Sequence, residues 1–192
     1  MNAEKIYLSN NIVTMDDTTE GAQAVAIADC HFALGALVGN MINLQCPPFG
    51  PADCIASIQS VLREEIKKRN IAPGEWVKGF GYYHTQLKEA HHLTKDDLDA
   101  VSTEHPIIIL HGSLHHFSAN SLALKIMEID ENLENPIGGY IHRVPGTNIP
   151  DGVCDGTVRY RIFNYMPLPI PEEALELGAS FTLHNDFPCL RM

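Results

Sequence analysis

From Ile55 to Ile66 apolar residues recur at helical spacing, with Ile55, Ile58, Val61, Leu62 and Ile66 on one side and Arg63, Glu64, Lys67 and Lys68 on the other. The pattern predicts an amphipathic helix with Pro51 in its first turn, ended by Ile71-Ala72-Pro73-Gly74. Ahead of it, Lys5–Ser9, Ile12–Met15, Ala24–Ile27 and His31–Gly35 alternate like short antiparallel strands. Glu75–Tyr82 reads as an extended segment loosened by glycines. Thr94 with Asp97 three residues on starts a short helix through Val101. Pro106–Leu110 is a buried strand, and the polar, histidine-laden stretch after it reads as a turn into a helix over Asn120–Met127. Asp130 to Gly156 reads as loop, punctuated by Gly138-Gly139 and Pro145-Gly146. Prolines 167, 169 and 171 lead into a helix over Glu172–Leu177 and a last strand over Ala179–Leu183.

Composition narrows the class of partner. The 192 residues are 45% hydrophobic and 19% charged, a mixture that can bury a core. Thirteen basic against 24 acidic residues give a formal charge of −11, which disfavours nucleic acid and anionic membrane surfaces. No apolar run approaches the ~20 residues of a membrane-spanning helix, and the first residues show no secretory pattern. Five cysteines without a C-x-x-C pair read as free thiols in a reducing cytoplasm.

Ten histidines bring in candidate chemistry. His111 and His115 follow the buried strand, where a rigid sheet aims side chains at a ligand. They equally suit hydrogen bonds to neighbouring loops. His184-Asn185-Asp186 ends the last strand. An Asp there can hold a divalent cation and take a proton from its bound water, or simply form a turn. Adjacent His91-His92 and His115-His116 diverge too much to share one ion. No His-x-His occurs, and His111-x-x-x-His115 runs over a turn. Cys154 lacks a local base that would make it a nucleophile.

Over most of its length the chain resembles amidohydrolase family 3, metal-dependent hydrolases that include N-substituted formamide deformylases. The resemblance runs through Asn10–Asp16, Ala24–Ile27, Ala33-Leu34-Gly35, Asn43–Gly50 and Gly79–Tyr82. It continues through Thr94, Leu98-Asp99, Pro150–Val153 and Leu168–Glu173. His111-x-Ser113-x-His115 with Asn120-Ser121-x-Ala123-Leu124 is its most specific part. Phe181-Thr182-x-His184-Asn185-Asp186-x-Pro188 resembles the family's last barrel strand. The departures are equally visible. The His-x-His pair due between Gly35 and Asn43 is missing, a few residues stand for most of the barrel between Glu173 and Gly178, and Gly156 occupies an acidic ligand position beside Asp155.

The resemblance implies an α/β fold: an incomplete metal-dependent hydrolase (TIM-barrel) architecture, internally shortened. Residues 1–40 would supply N-terminal β-sandwich strands, 41–173 an α+β insert like the family's substrate-side domain, and 174–192 a remnant of the last barrel strand. It implies hydrolysis of a non-peptide carbon–nitrogen bond in a small amide-type molecule by metal-activated water. Asp186 would be metal ligand and base, zinc the first choice of metal, and His111, His115, Asn120 and His184 the substrate-binding side chains. The missing ligand set equally suits a catalytically inactive remnant or binding module, and unpaired strand edges suit a homo-oligomer.

Overall fold

The computed structural model describes residues 6–8, 24–26 and 38–165. The chain divides into two compact units, Met1–Asn40 with Leu168–Met192, and Met41–Pro167. In the first, β1 (Ile6–Leu8) and β2 (Ala24–Ala26) pair antiparallel, Ile6 opposite Ala26. The expected strands over 12–15, 31–35 and 179–183 and the helix over 172–177 lie outside the described residues, as do His184 and Asp186.

The second unit is a mixed α/β layer built on six strands in the order β3-β4-β5-β6-β8-β7. These are β3 (Ile42–Asn43), β4 (Val77–Tyr82), β5 (Ile107–His111), β6 (His116–Ala119), β7 (Gly139–Arg143) and β8 (Pro150–Gly156). The first three run parallel, and β6, β8 and β7 pair antiparallel. Helix α1 (Ile55–Lys68) covers one face with Ile55, Ile58 and Leu62, packed into a core with Leu44, Val77, Ile107 and Ile109. Each such side chain withdrawn from water contributes roughly 1.5–3 kcal/mol. The short α2 (Lys95–Asp99) adds Leu98, and α3 (Ser121–Ile126) follows β6.

Local chemistry sets the helix starts. Thr94 and Asp97 form the expected capping box: the Asp97 carboxylate accepts from the Thr94 backbone N–H and hydroxyl, both at 2.8 Å. Helix α1 begins at Ile55 rather than beside Pro51. There the Ser57 hydroxyl donates to the Cys54 carbonyl and accepts from the Cys54 N–H, while Glu89 accepts from the Ile55 N–H at 3.1 Å.

Two expectations are corrected. His116–Ala119, read as part of a turn, is β6, and the stretch read as loop from Asp130 holds β7 and β8. Cross-strand pairing overrides the local glycine and proline signals there. Gly156 is one of the glycines that fit: at φ +60° its Cβ would meet the Gly138 carbonyl oxygen at 2.1 Å.

Asn120 ties the layer together at the N-terminal end of β5. Its fully buried carboxamide oxygen accepts from Ile107 N–H (2.9 Å) and Ala123 N–H (3.0 Å), and its nitrogen donates to the Ser102 and His105 carbonyls. One side chain thus starts β5, caps α3 and pins the loop before β5. Removing it orphans several buried groups, so Asn120→Ala is expected to lower unfolding stability by at least about 2 kcal/mol, read as the shift in urea midpoint.

Candidate functional site at the carboxyl end of the sheet

The strand directions place the end of β5, the start of β6 and the end of β8 at one edge of the sheet, beside the end of β4. In open α/β sheets this is the edge where ligands bind. Alternation decides which side chains face α1 there. Ile107, Ile109 and His111 share one face of β5. His116 lies opposite Asp155 across the β6–β8 ladder, on the same face as Ser118. A bulge at Gly81 (φ +104°) inserts one residue, so that Tyr82 rather than Gly81 pairs with His111. Without it Tyr82 would follow Phe80 to the opposite face.

The aliphatic face under α1 therefore turns into imidazoles at its end. His84, in a single 3-10 turn after β4, and His92, in the loop before α2, complete the group with His111 and His116. The His84 and His92 rings stack with centroids 3.9 Å apart. His111 lies 5.3 Å from both His84 and His116, and 5.6 Å from His92. His84 Nδ1 stands 3.3 Å from His111 Nε2. On three of the rings the outer nitrogen is held: His92 Nδ1 by the Tyr82 hydroxyl (2.9 Å), which also bonds Ser118 (3.1 Å); His111 Nδ1 by Ser113 Oγ (2.8 Å); and His116 Nδ1 by Asp155. The Ser113 backbone N–H also donates to His111 Nδ1. Neutral His111 therefore carries its proton on Nε2, facing His84.

Asp155 bridges two rings, its second oxygen accepting from His142 Nε2 at 2.9 Å. Burial pushes the Asp155 carboxyl up, but the hydrogen bonds from His142 and His116 outweigh this and hold it below its usual range. Burial, with His84 and His116 nearby, depresses His92 to about 3. Burial and the same two neighbours bring His111 to about 4. Burial and His116 also lower His84. Burial raises the Tyr82 hydroxyl and the Cys154 thiol, so the phenol stays protonated and the thiol unreactive.

Of the residues expected from sequence, His111 stands in this group and His115 beside it. His115 is exposed, with its Nδ1 3.1 Å from Arg159 Nη1. Asn120 is at the other end of β5, its hydrogen bonds spent within the fold. His84 and His142 carry no signal in the sequence, His92 and His116 enter it only as members of adjacent pairs, and Asp155 only as the neighbour of the acidic ligand position at Gly156. Among the described residues, no three His, Cys, Asp or Glu groups form a ready-made cation site as placed, and no helix is long and apolar enough to cross a membrane.

A sequence profile of the Amidohydrolase family matches residues 34–189. The chain belongs to this family. It is 31% identical over 115 residues to an N-substituted formamide deformylase of Arthrobacter pascens, covering 59% of this chain and 20% of that protein. It is also 31% identical over 88 residues to the putative amidohydrolase YtcJ of Bacillus subtilis (strain 168), covering 45% and 17%. The matched parts thus amount to about a fifth of those relatives' lengths. Crystal structures of uncharacterized metal-dependent hydrolases from Pyrococcus horikoshii OT3 and Pyrococcus furiosus overlay with TM-scores of 0.49 and 0.47 at 16% and 14% identity, each over 80% of this chain and 27% of the other.

The depressed imidazoles set the acid response. His92 and His111 titrate at about 3 and about 4 in the fold against 6.5 ordinarily, so on acidification the unfolded chain takes up their protons first. Their contribution is complete above pH 6.5 and drains away down to about pH 4 for His111 and about pH 3 for His92. The urea midpoint is expected to fall from pH 7.5 to pH 5, and less steeply in His111→Gln.

Proposed function

We propose that this chain works in a hydrolase that cleaves a non-peptide carbon–nitrogen bond of a small amide-type molecule. The observation that carries the reading is the family match over residues 34–189; the imidazole and carboxylate groups gathered at one sheet edge supply matching chemistry. In such enzymes a divalent metal, zinc first, makes water nucleophilic near neutral pH. The described residues do not provide that centre as placed, and by family resemblance its carboxylate would be Asp186.

The described residues do the substrate-side work. Asp155, held ionised, accepts from His116 Nδ1 and fixes that ring with Nε2 as the nitrogen left for substrate. His142, on the carboxylate's other oxygen, steadies the same group. His111 and His115 flank the place where a carbonyl would lie, Asn120 acts at one remove by anchoring β5, and by family resemblance His184 would be a further substrate-binding side chain. A second reading, an inactive binding module that forms homo-oligomers, draws on the missing His-x-His pair and the glycine, Gly156, at the acidic ligand position.

Zinc-loaded full-length protein is expected to release amine from an N-substituted formamide, a secondary amide or an anilide above the buffer rate. Asp155→Asn is expected to cut kcat about 100-fold with KM little changed, the size of a lost proton-transfer group. Absence of turnover on all three substrates would leave the binding-module reading in possession.

A further inference from the structure

His111, at the end of β5, is only 5% exposed, although the proposed function sets its ring against a substrate carbonyl. Five described rings surround it, those of Tyr82, Tyr83, His84, His92 and His116. Tyr83 alone among them is exposed, at 39%. It is the first residue after β4, and its ring meets His111 edge-on with centroids 4.8 Å apart and planes at 66°, an arrangement that aromatic pairs favour. The ring rests on Gly112, where a Cβ would lie 2.5 Å from Tyr83 Cζ and 2.8 Å from its hydroxyl oxygen. Backbone on both sides is fixed: Gly112 N–H donates to the Tyr82 carbonyl at 3.0 Å, and the Tyr83 carbonyl accepts from Gln86 N–H at 2.9 Å. The Tyr83 hydroxyl has no hydrogen-bond partner among the described residues, so packing places the ring.

We propose that Tyr83 is a swinging cover over His111, closed in this structure, whose ring turns out about its Cα–Cβ bond to admit a ligand and returns to its seat on Gly112. Opening gives up one edge-on ring contact and disturbs no hydrogen bond of the fold. The open form is therefore a minor population of about 10% or less. Closed, the ring keeps water from the imidazole, as mobile covers do over active sites. Gly112 serves the closure and not the backbone, since its φ lies outside the left-handed region that favours glycine. The bearing on turnover rests on the proposed function, whereas the cover itself does not.

Hydroxyl-radical footprinting of the full chain, read residue by residue by mass spectrometry, tests this, because side chains oxidise in proportion to their exposure. His111 is expected to oxidise about 10-fold faster in Tyr83→Ala and in Gly112→Ala than in wild type, with the exposed His91 as an unchanged reference. The double variant should oxidise no faster than Tyr83→Ala, since both changes remove the same cover. Gly112→Ala should melt within about 3 °C of wild type, because only a side chain with room to turn has to give way. Wild-type His111 oxidised as fast as His91, a rate unchanged in the variants, or a larger fall in the melting temperature of Gly112→Ala overturns the proposal. If Tyr83→Ala does not fold, Gly112→Ala decides. Failure to turn over any amide would count against the proposed function and leave these rates as stated.

Discussion

Strand register is the constraint on which the site depends. Side chains alternate across a strand, so a one-residue slip sends each to the opposite face. His116 reaches Asp155 because β6 and β8 pair with those two residues opposite, and Tyr82 reaches His92 and Ser118 because the Gly81 bulge shifts β4 by one place against β5. The register is held at a distance from the chemistry. Asn120 anchors the first residue of β5, and Ile107 and Ile109 are buried in the aliphatic layer under α1.

Gathering several imidazoles in a partly buried pocket is unfavourable when they carry protons, because desolvation and mutual repulsion act in the same direction. The fold holds His84, His92 and His111 against protonation and binds the outer nitrogens of His92, His111 and His116 with a phenol, a serine hydroxyl and a carboxylate. Among the described residues, no buried side-chain nitrogen or oxygen lacks a partner. Neutral, oriented rings are good hydrogen-bond acceptors, whereas a protonated set would not be. The preparation that makes the group chemically useful therefore also makes it sensitive to acid.

Elements whose signals are short-range were legible. The α1 periodicity, the Thr94–Asp97 capping box, the apolar run of β5 and the helix after Asn120 are each specified within one or two turns of chain, and each stands within a few residues of its expected place. β6, β7 and β8 were not legible, because their partners supply what their sequences lack. Pro150 and Gly152 punctuate β8 as a turn would, yet β6 and β7 pair with it from both sides. Asp155 was legible only as a neighbour of the ligand position at Gly156, because its facing depends on that strand. His111 was found because it ends a run of isoleucines, whereas His84 and His92 sit in irregular segments where nothing local announces a role.

By itself the sequence determined the family, the amphipathic helix, the caps and the histidine supply, since these rest on residue identity and spacing along the chain. Only the tertiary structure decided that His84, His92, His111 and His116 meet, that Asp155 joins them and that Asn120 does not. Those outcomes depend on which strands become neighbours and in what register, and hydrogen bonding between segments up to 39 residues apart settles that, where no local propensity can.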